Sequence, residues 1–154
     1  MDTQNYVDIM IDSLTKKEEL LKQIVDYNEA QQTIVTAPEF KEEAFEKNVA
    51  DKGEVVEKIL RLDEGFNSVF NRIKEELQTN KGKYAKDIEH LKELVASVTD
   101  LGVRIQAQEL RNKQLVEKRF AQMRKELSQA KRTTSTANAY YKNVNNLNQY
   151  ESHF

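Results

Sequence analysis

Apolar residues recur along this chain at alternating intervals of three and four, the period of a helix whose seam packs against a neighbour. The first seam reads Val7, Met10, Leu14, Lys17, Leu21, Ile24, Asn28, Gln31 and Val35. A second runs through Phe45, Val49, Lys52, Val56, Ile59, Asp63, Phe66, Phe70, Ile73 and Leu77. The third comprises Tyr84, Ile88, Leu91, Val95, Val98, Gly102, Ile105, Glu109, Asn112 and Val116. Pro38 ends the first pattern, because the residue before a proline is pushed out of the helical region. With Glu39 it suits the first turn of the next helix. The stretch QTNKGK at 78–83 makes the second break, with Asn80 and Gly82 as candidates to end the helix. The spacing predicts helices over about 3–36, 39–79 and 83–132, forming a helical bundle over 1–132, and a flexible tail over 133–154.

Short connections make successive helices antiparallel neighbours. Setting Leu77 beside Tyr84 brings Phe45 opposite Val116. The expected fold class is therefore all-α, an antiparallel three-helix coiled-coil bundle with an over-long last helix and a disordered C-terminal tail. At ~1.5 Å per residue the last helix reaches ~70 Å, longer than the other two. Asn28, Gln31 and Asn112 lie on otherwise apolar seams, where they either form a buried polar layer or reach solvent. Gly53 and Gly65 interrupt the second seam and mark a bend or a close approach.

Past Val116 the third helix has no long partner in this register, yet its apolar stripe continues through Leu115, Val116, Phe120, Met123 and Leu127. A surface helix with such a stripe buries it on its own chain or offers it to another. The charge around it is distinctive. Residues 111–132 carry eight basic side chains against two acidic, although the net charge of the whole chain is −2. From 133 to 150, in TTSTANAYYKNVNNLNQY, Lys142 is the sole charged residue. Tyrosines stand there among asparagines, with no helical or strand period to bury them.

The remaining composition narrows the function. The chain has 154 residues and no cysteine, which fits one domain in a reducing compartment. The start, MDTQNYVDIMIDSL, has acids where a secretory signal needs lysines, and no run approaches the roughly 18 apolar residues that span a bilayer. The expected location is the cytoplasm. The two histidines, His90 and His153, are far apart, and no glycine-rich loop has the spacing that cradles phosphate. Asp87 with His90 supplies one Asp-x-x-His, where a di-metal bundle site needs Glu-x-x-His pairs. The expectation is therefore no enzyme, no cofactor and no metal. The basic segment raises nucleic acid and membrane surfaces as partners, but Phe120 lies on the apolar stripe rather than among the cations, and no groove-reading motif appears. Neither is the expected partner.

The stretch IQAQELRNKQLVEKRFAQMRKELSQAKRTTSTANAYYKNV resembles the C-terminal portion of the FlgN-like flagellar export chaperones. In that family a long last helix with an Asn-Xaa-Xaa-Leu element, here Asn112-Lys113-Gln114-Leu115, gives way to a Ser/Thr-rich segment and a tyrosine, here Tyr140 and Tyr141. KNVADKGEVVEKILRLDEGFNSVFNRIKEEL looks like the family's middle helix. The resemblance implies a chaperone that keeps hook-associated, hook–filament junction proteins soluble and hands them to the cytoplasmic domain of the type III export gate. Such clients carry segments that become coiled-coil helices on assembly, so their apolar stripes are bare before export. Leu115, Val116, Phe120, Met123 and Leu127 have the spacing to cover one, with the cations around them steering an acidic client. By the same resemblance Tyr140 and Tyr141 dock on the gate. A different class fits the same residues: a structural or adaptor coiled coil that self-associates through the last helix. A homodimer in the absence of client is compatible with either.

Overall fold

A computed structural model describes residues 2–130. Among them are three helices: α1 (Thr3–Thr36), α2 (Glu42–Thr79) and α3 (Ala85–Ala130). The last is the longest, 46 residues against 34 and 38. The expected tail, and residues 131 and 132 of the expected third helix, lie outside the described residues. The chain divides into two compact units, each taking a stretch of every helix. Unit 1 is Met1–Asp26 with Asp51–Ile105, and unit 2 is Tyr27–Ala50 with Gln106–Phe154.

In unit 1 the Asp2 carboxylate accepts the Asn5 N–H at 2.9 Å and caps the start of α1. The seam of α1 then buries Val7, Met10 and Leu14 against Ile73 and Leu77 of α2, and against Tyr84, Leu91 and Leu94. Thr3 donates to Glu76, and Lys17 pairs with Asp63 at 2.7 Å, so α1 and α2 run antiparallel. Lys17 and Asp63 are charged interruptions of their two seams and satisfy each other. Both remain partly exposed, and such a pair adds at most about 1 kcal/mol. The Ser97 hydroxyl donates to Glu18 and, with Lys22 nearby, holds that carboxyl below its ordinary value against the opposing effect of burial. Asn80 closes α2 as expected: its N–H donates to the Glu76 carbonyl at 2.9 Å, and its own carbonyl accepts from Lys83 at 3.0 Å. A Cβ added at Gly53 or Gly65 would meet no atom within 4 Å, so neither glycine marks a close approach.

Unit 2 is organised around amides. Asn112 Nδ2 donates to the Asn28 carbonyl at 2.9 Å and to Gln31 Oε1 at 3.1 Å. Asn28 Nδ2 donates to Gln108 Oε1 at 3.2 Å. Gln31 Nε2 reaches Asn48 Oδ1 at 3.2 Å, while Asn48 Nδ2 donates to the Tyr27 carbonyl at 2.9 Å. All five amides are buried. Of the two readings open for Asn28, Gln31 and Asn112, the polar layer is therefore the one the chain adopts. A buried amide without a partner costs about 1–3 kcal/mol, and a slip of one helix past another would strand several together.

Beyond this layer the fold departs from expectation. Phe45 does meet Val116, but the stripe that follows is not bare. Val116 and Phe120 are 1% exposed and cluster with Val35 and Phe45, while Leu115 and Met123 pack around them. The cover comes from the α1–α2 connection. Helix α2 starts at Glu42 rather than at residue 39, which leaves Phe40 outside the helix and free to turn inward. Its ring lies 5.5 Å from Phe45 and 6.3 Å from Phe120, and Phe45 and Phe120 are 6.1 Å apart, the last two contacts edge-on. Edge-to-face pairs add about 0.5–1.5 kcal/mol beyond the area they bury. Arg119 holds the corner from α3, donating to the Ala37 and Pro38 carbonyls at 2.6 and 3.2 Å with its guanidinium over the Phe40 ring.

Truncating the fully buried Phe120 to alanine is expected to remove about 3–5 kcal/mol of stability, read as a lowered midpoint in urea unfolding. An unchanged midpoint would contradict the burial described here.

Candidate functional site

The residues expected to hold a client form part of the interior. Val116 and Phe120 are core, Leu127 is 6% exposed, and Leu115 and Met123 are half-buried. The stripe expected to stand open is therefore closed in the free chain, with Phe40 and Phe45 packed against Phe120. Two of the cations expected to steer a client also point inward: Arg119 to the corner carbonyls, and Arg111, whose Nε donates to Asn112 Oδ1 at 3.2 Å. Tyr140 and Tyr141 lie outside the described residues.

An open apolar surface lies in unit 1, between α2 and α3. Phe66, Phe70 and Leu77 line one wall, and Ile88, Leu91 and Val95 the other, around a groove of about 720 Å³. Its floor is the core itself, since Met10, Leu77 and Leu91 belong to the buried cluster. The walls rise into solvent: Phe70 is 40% exposed and Val95 48%. Phe66 and Phe70 stack with ring centroids 6.3 Å apart, making a flat aromatic wall. Val56, Leu60 and Val103 are also exposed. At ~1.5 Å per residue, Phe66 to Leu77 spans roughly 16 Å, or three helical turns.

Charge frames the groove unevenly. Lys74, Lys81 and Lys92 line it together with one acid, Glu89. A lysine stem covers apolar surface while its ammonium stays in water, so the rim keeps an apolar trough hydrated at its edges. Covering a side chain that is half exposed is worth about 1 kcal/mol, and several such side chains side by side make a docking surface.

Sequence reasoning assigned Phe66, Phe70, Ile88 and Val95 to the seams that close the bundle. The signal that they do more was present. Val55 stands beside Val56, Val69 beside Phe70, and Leu94 beside Val95. One member of each pair turns to the core side, Val55 and Leu94 being buried and Val69 packing on the core cluster. The other member remains exposed. A stripe that is two residues wide serves more than one neighbour.

No helix among the described residues is long and apolar enough to cross a membrane, and none of them form a group of three or more metal-ligating side chains. Comparison with curated proteins and with solved structures found no significant match. The sequence model of the FlgN protein family, however, matches residues 1–148, nearly the full length. On that match the chain belongs to the FlgN family of flagellar export chaperones.

Proposed function

We propose that this chaperone binds hook-associated proteins of the hook–filament junction in the cytoplasm, prevents their premature association and delivers them to the type III export gate. Family membership over residues 1–148 carries the reading. The exposed apolar groove supports it, since a chain that must keep another chain's helix from assembling needs an apolar surface left uncovered by its own fold. The adaptor alternative relied on self-association through the Leu115–Leu127 stripe, and Val116 and Phe120 at the centre of that stripe are interior. Delivery is assigned to Tyr140 and Tyr141. Tyrosine combines a large apolar ring with a hydroxyl and few torsions to immobilise, which suits a brief contact with the cytoplasmic domain of the gate.

Co-expression with a hook-associated protein is expected to yield a one-to-one complex on size exclusion. A chaperone that elutes alone beside every hook-associated protein of its cell would refute the assignment. Replacing Tyr140 and Tyr141 together by alanine is expected to leave client affinity unchanged and to lower secretion of the client into the medium. Wild-type secretion from that double variant would remove the gate role.

A further inference from the structure

We propose that the α2–α3 groove of unit 1 seats a single amphipathic client helix whose apolar face is flanked by acidic side chains. This rests on the export-chaperone reading and deepens it, by giving that function a location and a recognition chemistry.

The shape of the groove selects a helix. Its walls are helix faces whose backbone groups are already bonded within α2 and α3, so they offer no ladder to an extended strand. What they offer is side chains three, four and seven apart: Phe66, Phe70 and Leu77 across from Ile88, Leu91 and Val95. A helix laid in this trough over three turns presents anchors at the same spacing, and its apolar residues reach the Met10 floor between the walls. The occupant then completes, for one side of the α2–α3 pair, what α1 does for the other.

Charge selects the sign. Three lysines against one glutamate line the groove, so acidic residues flanking the occupant's apolar face gain and basic ones lose. The same argument disfavours a second copy of this chain. Two copies meeting groove to groove would bring Lys74, Lys81 and Lys92 of one rim against those of the other. The aromatic cluster of unit 2 is filled by Phe40 and Phe45.

The test uses the full chain and an intact hook-associated protein as probe. Phe70→Glu with Val95→Glu changes side chains that are 40% and 48% exposed, so far-UV helicity and melting temperature are expected to stay at wild-type values. Client affinity by titration calorimetry is expected to fall about thirtyfold or more, as for central interface anchors. Lys74→Glu with Lys92→Glu, a surface change that keeps the walls, is expected to weaken binding about tenfold at low salt and to abolish the salt dependence of the wild-type affinity. A photo-crosslinking residue at position 95 is expected to capture the client, and one at position 120 to capture none. Wild-type affinity in both double variants, with an intact wild-type complex, would overturn the groove and leave the chaperone reading standing. Failure of the wild-type chain to bind any hook-associated protein would overturn that reading and the groove with it. A client-free dimer that Phe70→Glu with Val95→Glu dissolves would give the groove to a second copy and overturn the proposal.

Discussion

A pair of antiparallel helices has two grooves, one on each side, and a single third helix can fill only one. In unit 1 that limit governs everything else. Helix α1 lays Val7, Met10 and Leu14 into one side of the α2–α3 pair. The other side leaves Phe70 and Val95 exposed, with Phe66 and Ile88 half-buried beside them. An ordinary small domain would add a fourth helix or change those residues to polar ones. Among the described residues this chain does neither, and it pairs the apolar trough with lysines that hold water at its edges. The result is a surface unsatisfied in the free protein yet not so bare that the chain must aggregate.

Unit 2 resolves the same problem in the opposite direction. There the residues joining α1 to α2 supply the missing cover. Phe40 comes off the connection to meet Phe45 and Phe120, and the Arg119 fork on two corner carbonyls keeps it there. Within that unit, therefore, the long helix α3 has no free apolar seam beside Phe120. The two units divide the labour, one sealed by aromatics and amides, the other left open along one helix pair.

Much of this was legible in the pattern of residues. Helix α1 has the predicted limits, the Phe45–Val116 register is observed, and Asn28, Gln31 and Asn112 form the expected layer. Periodicity reports such things well because each depends on the spacing of side chains within a helix. It reports poorly on which neighbour covers a stripe. Phe120 has the spacing of a docking residue and of a core residue alike, and what decides between them is Phe40, a residue in a connection with no period at all. The groove was missed for a related reason. Val56, Phe70 and Val95 match a seam as well as Val55, Val69 and Leu94 do, and the rotation of a helix by a fraction of a turn chooses between the two sets. Membership in the family, by contrast, was already visible in the Asn112–Leu115 element and the segment after it.

The five buried polar side chains identified among the described residues are all carboxamides. A carboxamide neither takes up nor releases a proton in water near neutrality, unlike the lysine–carboxylate pairs that often mark register in helical bundles. Acidification of the surroundings would neutralise carboxylates at the exterior and leave the interior bonds of unit 2 as they are. Its helices thus keep their alignment through swings in acidity that would unseat an ionic lock.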